Sequence, residues 1–196
     1  MNALPYYLAF ARVRGIGPAR LRKLLAHFGS LERAWQAAPF DLSHAGLDDK
    51  LLGALMAAQR ALHPERELET VLRAGLTALC WEDSGYPSLL KTLNDPPPVL
   101  FVRGALLDLD QLALAIVGTR KSTLYGREVA AAVAAEMARN SVTVVSGLAR
   151  GIDAAAHQAA LANGGRTIAV IACGADQVIR RSIASWPSAL PSAVRS

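Results

Sequence analysis

Three apolar runs, each closed by a glycine, dominate the second half of the sequence: LALAIVG (Leu112 to Gly118), VTVVSG (Val142 to Gly147) and RTIAVIACG (Arg166 to Gly174). A strand with one face in water alternates apolar and polar residues, whereas a continuous apolar run belongs in a sheet covered on both faces, the habit of parallel sheets. Between the runs lie alanine-rich segments with helical periodicity, over about Tyr125 to Arg139 and about Ala154 to Ala162. The order is β-α-β-α-β. It predicts an α/β fold with a Rossmann-like parallel sheet, buried on both faces, over residues 111–178.

In such sheets ligands bind outside the carboxyl ends of the strands, so the strand-to-helix loops hold the candidate site. Two are complete: GTRKSTLYGRE (Gly118 to Glu128) and SGLARGIDAAAH (Ser146 to His157). Each brings a glycine, which lets an anion approach the backbone, and each runs into a helix N-terminus that favours negative charge. Each also carries an arginine, Arg120 or Arg150, and two guanidinium groups facing one crevice would clamp phosphate oxygens. Lys121 adds charge, Thr119, Ser122 and Ser146 offer hydroxyls, and Tyr125 is placed to stack or cap. Neither loop has the GxGxxG or Walker spacing, so a dinucleotide or P-loop site is not expected.

Catalytic machinery is not legible in these loops. Asp153 reads as an N-cap rather than a catalytic carboxylate, Thr123 or Ser122 as the cap of the preceding helix, and His157 as a packed or solvated side chain rather than a base. Arg127 and Arg139 read as solvated helix charges. No nucleophile, base and orienter are grouped, and no metal-ligand spacing occurs, so neither cofactor nor metal is expected. The crevice is built to hold phosphate.

Residues 1–72 read as short helices in a small domain of the SAM or helix-hairpin-helix kind, with Ser30 as an N-cap and Gly29 at a helix end. Within it VRGIGPARLRKLL has two readings. Gly15 and Gly17 permit a tight, positive-φ turn ahead of Pro18 that would aim backbone N–H groups at a phosphate, helped by Arg20, Arg22 and Lys23. The other reading is an ordinary αα-hairpin with a solvated basic face. Residues 73–110 form a connecting segment with short strands at TALCW and VLFVRG, a turn at Asp83 to Pro87, and three prolines at 96–98 that exclude helix.

Charge separates the two parts. Residues 1–110 carry 12 Lys and Arg against 12 Asp and Glu, and residues 111–196 carry 9 against 4, so the net +5 lies wholly in the second part. That favours an anionic partner, nucleic acid before membrane. No apolar span is long enough for a membrane helix and the N-terminus lacks a signal-peptide pattern, so a cytoplasmic location is expected. Cys80 and Cys173 sit in apolar runs and read as buried free thiols.

The strings IVGTRKSTLYG, VVSGLARGIDAAAHQAAL and GGRTIAVIACG, with YPSLLKTLNDPPPVLFVRG and GIGPARLRKLL upstream, resemble the DNA-processing protein A (DprA/Smf) family from near residue 6 to about Val178. The resemblance implies a non-enzymatic protein that binds and protects single-stranded DNA in natural transformation and loads the RecA recombinase onto it. It further implies that Arg120 and Arg150 contact DNA phosphate while Gly118, Ser146 and Gly147 shape the pocket. A nucleotide phosphoribohydrolase-like enzyme is the alternative on a similar fold, but its PGGxGTxxE loop does not occur in this sequence.

After Val178 the likeness stops. Residues 179–196 hold five serines, three arginines, two prolines and no acidic residue, with neither helical nor strand period. Back-translated with GC-rich codons and read two bases later, the segment becomes PPQHRELAERIAERGAL, an amphipathic helix of the family's kind. One lost base before codon 179 would explain the junction; a genuine disordered tail is the alternative. The sheet is then incomplete, with an unpaired edge, weak or no DNA binding and no family homodimer expected. The nucleotide sequence checks this: codons 179–196 are expected to encode that helix in another frame, and codons that do not would remove the explanation.

Overall fold

The computed structural model describes residues 3–172 and the backbone of 192–195. The chain divides into two compact units, Met1–Leu100 and Phe101–Ser196, so the boundary falls within the connecting segment. In the first unit six helices follow one another: α1 (Leu4–Ala11), α2 (Pro18–Phe28), α3 (Leu31–Gln36), α4 (Pro39–His44), α5 (Asp49–Ala61) and α6 (Pro64–Arg73). Strand β1 (Thr77–Cys80), the single turn α7 (Ser88–Lys91) and the start of β2 (Val99–Gly104) complete it.

Local chemistry sets the helix ends. The Ser30 hydroxyl accepts from the Arg33 N–H at 3.2 Å, the Asp48 carboxylate accepts from the Leu51 N–H at 2.9 Å, and Gly29 ends α2 at φ +77°. Leu21, Leu24, Leu42 and Leu55 are fully buried with Tyr7 and Phe10, and Phe10 meets Trp35 edge-on at 5.2 Å. Cys80 is a buried free thiol whose pKa burial pushes up to about 12; Cys173 lies outside the described residues.

The second unit continues through the end of β2, a 3-10 turn (Asp108–Gln111), β3 (Ala113–Ala115), α8 (Leu124–Arg139), β4 (Thr143–Ser146), α9 (Ile152–Ala162), β5 (Thr167–Ile171) and β6 (Ser192–Arg195). Its strand order is β2-β6-β5-β4-β3, with β3 to β6 parallel and β2 antiparallel to β6. Registers such as Leu114 with Val144 and Val145 with Ile168 align the carboxyl ends of β3, β4 and β5. The α/β reading with a parallel sheet therefore holds.

Alanine permits the helices to approach. Ala134 and Ala138 of α8 pack with Ala156 and Ala160 of α9 over Val144 of β4. A Cβ at Gly165 would stand 2.3 Å from that of Ala138, so the close fit extends into the turn after α9. Small side chains let two helices share one strand.

Two expectations need correction. The sheet is not covered on both faces along its whole width, because Leu112 is 63%, Leu114 38% and Val117 72% exposed. Among the described residues strand β3 ends the strand order with only β4 beside it, while α8 and α9 pack on β4, so an apolar sequence at an edge stays in contact with water. The second correction concerns residues 179–196, read as having no strand period: Ser192–Arg195 form β6, which takes the free side of β5. Among the described residues the open edge lies at β3.

A part-buried ion pair ties this sheet together below the site. The Arg166 guanidinium donates from Nε to Asp110 Oδ1 and from Nη2 to Asp110 Oδ2, at 2.5 and 2.8 Å, and Nη2 also donates to the Ala105 carbonyl. Asp110 accepts further from the Thr143 hydroxyl and the Leu107 N–H. Burial opposes ionisation of Asp110, but Arg166, the Leu107 N–H and Thr143 outweigh it and hold the carboxyl below its usual range. The pair therefore pins the 3-10 turn to the first residue of β4 and the approach to β5.

Removing one partner leaves the other charge part-buried and without its bidentate bond, so Arg166→Ala is expected to cost about 1–3 kcal/mol in urea unfolding. The double variant with Asp110→Ala should cost less than Arg166→Ala alone; equal or additive losses would refute the pairing as the source.

Candidate nucleic-acid interface

The two expected loops lie at the carboxyl ends of β3 and β4, ahead of α8 and α9. Their chains are locked before they diverge: the Ile116 N–H donates to the Val145 carbonyl, and the Ser146 hydroxyl donates to the Ile116 carbonyl at 2.6 Å. Ser146 is 2% exposed, so its hydroxyl hydrogen serves the strand ends rather than the rim of the crevice. That changes the expected role of Ser146 from phosphate contact to positioning.

Beyond the strands the loops interlock through two glycines. A Cβ on Gly118 would meet the Ile152 side chain at 2.6 Å, and one on Gly151 would meet the Thr119 carbonyl oxygen at 2.4 Å and that of Arg120 at 3.0 Å. Gly151 also has φ +87° and ψ −121°, a conformation open to glycine alone. The residue after Arg150 is therefore packed against the backbone of Arg120, which sets the two arginine positions side by side. The sequence pointed to Gly118 and Gly147 but not to Gly151, because its role depends on a neighbour 31 residues away.

The side chains expected to hold phosphate mostly face water. Thr119, Arg120, Lys121 and Arg150 are exposed, as are Gly118 and Gly147. Among the described residues neither the Arg120 nor the Arg150 guanidinium has a hydrogen-bonded or ionic partner. The Thr119 hydroxyl accepts from the Lys121 N–H at 3.2 Å and shapes its own turn. Thr123 is the cap of α8, accepting from the Gly126 N–H at 3.1 Å, and Tyr125 is 75% exposed. Arg127 bends back to the Ser122 carbonyl, and Arg139 pairs with Glu136 and Asn163.

Asp153 is not the cap of its own helix. Gly151 occupies that position, and the Asp153 carboxylate, 5% exposed, turns toward the loop, where Oδ2 accepts from the N–H groups of Gly147 at 3.1 Å and Ala149 at 3.3 Å. His157 is fully buried one turn later, with Nδ1 2.7 Å from the Thr167 hydroxyl, which itself donates to the Val144 carbonyl. Desolvation lowers the His157 pKa to about 4 against the opposing charge of Asp153, so the ring is neutral near pH 7. It packs, as one of its two expected roles required.

The helical hairpin in the first unit differs from its phosphate-binding reading. Gly15 has φ +97°, but Gly17 is extended at φ −104° and caps α2, whose first residue is Pro18. Arg20 donates to the Gly15 carbonyl at 2.8 Å, folding its guanidinium back over the turn. Arg22 lies over the Trp81 ring at 5.3 Å and donates to the Asn94 carbonyl, so two of the three basic side chains are engaged within the unit. These contacts favour the packing role of the hairpin.

Among the described residues no group of three or more His, Cys, Asp or Glu is placed to hold a metal ion. No helix among them is long and apolar enough to cross a membrane.

The family model for DNA recombination-mediator protein A matches residues 77–192, which includes both loops and reaches past Val178. The chain belongs to that family. The Smf protein of Synechocystis sp. is 36% identical over 178 residues, 88% of this chain and 45% of that protein. The DNA processing protein DprA of Bacillus subtilis is 38% identical over 117 residues, covering 59% of this chain and 39% of that protein. The chain thus spans less than half the length of these curated relatives. The crystal structure of DprA from Streptococcus pneumoniae superposes with a TM-score of 0.78 at 26% identity, covering 100% of this chain and 68% of that one. DprA from Helicobacter pylori, solved for its single-stranded DNA binding mode, gives 0.51 at 28% identity over 61% of this chain and 54% of that one.

The interlock predicts opposite effects at two glycines. Gly151→Ala is expected to lose about 1–3 kcal/mol by thermal or urea denaturation, since the new Cβ meets backbone at a glycine-only conformation. Gly53→Ala, in α5 with open space around it, is expected to gain about 0.5–1 kcal/mol. Equal responses would refute the backbone contact.

Proposed function

We propose that the interlocked loops form a single-stranded DNA-binding surface in which Arg120 and Arg150 contact successive phosphates and Lys121 adds a third charge. Gly118, Thr119 and Gly147 form the exposed loop backbone around them, and Ser146 holds the strand ends that carry it. The observation that carries this reading is the backbone contact of Gly151 with Thr119 and Arg120, which sets two exposed, unpartnered arginines side by side at the N-termini of two helices. The positive surplus of residues 111–196 and membership of a recombination-mediator family support it.

The protein acts by binding rather than by catalysis. His157 is buried and neutral, and Asp153 is committed to the loop backbone, so these two side chains are structural. Single strands are preferred because a sheet-end crevice holds one backbone and leaves bases free to splay. Loading of the RecA recombinase onto the bound strand completes the proposal and rests on the family resemblance.

Fluorescence anisotropy with labelled oligothymidine at low salt, against a duplex of equal length, tests it, with only weak single-strand binding expected of this impaired form. Arg120→Ala and Arg150→Ala are each expected to weaken single-strand binding by about tenfold and to flatten the log–log salt dependence by roughly 0.7 for each phosphate no longer held. Equal affinity for duplex, or variants that bind as the parent does, would sink the proposal.

A further inference from the structure

A glycine after a parallel strand ordinarily admits a ligand phosphate to the backbone N–H groups of the turn. In the turn after β4 that place is already taken. The N–H groups of Gly147 and Ala149 converge on one oxygen, Asp153 Oδ2, at 3.1 and 3.3 Å, and between them Leu148 takes the left-handed conformation at φ +58°. Alternating conformations that turn successive N–H groups toward one point make an anion-binding concavity. Its occupant here is a carboxylate of the protein itself.

The glycine serves the same guest. A Cβ at Gly147 would stand 2.9 Å from Asp153 Oδ2, so the missing side chain makes room for the carboxylate. Asp153 is 5% exposed in the first turn of α9, where the helix dipole favours its charge. A phosphate monoester entering the turn would lose both N–H donors to Asp153 and meet a negative charge beneath them. A chain phosphodiester held from outside by arginine side chains needs neither donor.

We propose that Asp153 is a specificity-determining residue that fills the terminal-phosphate position at the end of β4, so that the site rejects free phosphate, nucleotides and phosphorylated strand ends and accepts only chain phosphodiesters. The part about chain phosphodiesters rests on the single-stranded DNA reading; the exclusion of monoesters does not.

The test uses the whole chain with inorganic phosphate and thymidine 5′-monophosphate as probes, read by thermal shift and by 31P line broadening, with circular dichroism to confirm folding. The parent is expected to show no saturable response. Asp153→Ser, which empties the position and frees both N–H groups, should gain a saturable rise in melting temperature of about 5 °C. Asp153→Asn keeps an acceptor oxygen in place and should stay silent. In anisotropy the parent should bind 5′-phosphorylated and 5′-hydroxyl oligothymidine equally, while Asp153→Ser should favour the phosphorylated end.

A parent that responds saturably to phosphate overturns the assignment, and so does a folded Asp153→Ser that gains nothing. Should the serine variant fail to fold, the parent decides: a preference for the 5′-phosphorylated strand or a phosphate response overturns the assignment, and silence with equal affinity supports it. Loss of all oligothymidine binding with the phosphate results intact would overturn the DNA reading and leave the role of Asp153 standing.

Discussion

Gly151 lies so close to the loop after β3 that a Cβ would sit 2.4 Å from the Thr119 carbonyl oxygen, and its φ of +87° admits no ordinary side chain. Two loops that leave different strands thereby become one surface. Gly118 against Ile152 gives the reciprocal contact, and the Ile152 N–H reaches back to the Thr119 carbonyl at 3.4 Å. The arginines owe their adjacency to this contact, since neither is held by a side-chain partner among the described residues. Long cationic side chains without partners keep their rotamer freedom until a ligand orders them.

Below that surface hydrogen bonds between elements give the loops a rigid base. Ser146 to Ile116 joins β4 to β3, His157 and Thr167 to Val144 joins α9 and β5 to β4, and Asp110 with Arg166 and Thr143 closes the opposite end of the strands. Each of these bonds, buried or part-buried, would leave an unsatisfied group if broken, at about 1–3 kcal/mol, so the scaffold is specified more strictly than its apolar packing alone requires. The contrast with the exposed, unpartnered arginines is a division between base and ligand-facing rim.

Charge is sorted in the same way. The negative carboxylate of Asp153 lies inside the turn, under the N–H groups of Gly147 and Ala149, and the positive groups of Arg120, Lys121 and Arg150 lie outside it. A site arranged so meets a polymer backbone through side chains. An anion that must penetrate to the helix N-terminus finds the place filled.

Much of the second unit was legible in the sequence. Apolar runs ended by glycine marked β3, β4 and β5, alanine-rich periodicity marked α8 and α9, and the glycine and arginine of each loop marked the site, because patterns of this kind report on local geometry. Thr123 and Ser30 were legible as caps for the same reason: each bonds an N–H three residues on. What only the tertiary structure decided are the partners reached across the fold. An apolar string does not say whether its strand has neighbours on both sides, so the exposure of β3 and the pairing of β6 with β5 followed from the strand order. A serine, an aspartate or a glycine does not name its contact either. Ser146 bonds a carbonyl 30 residues away, Asp153 turns from its own helix to the loop before it, and Gly151 is required by the backbone of Arg120. The sequence determined which residues reach the end of the sheet; the meeting of two separate loops there determined what each one does.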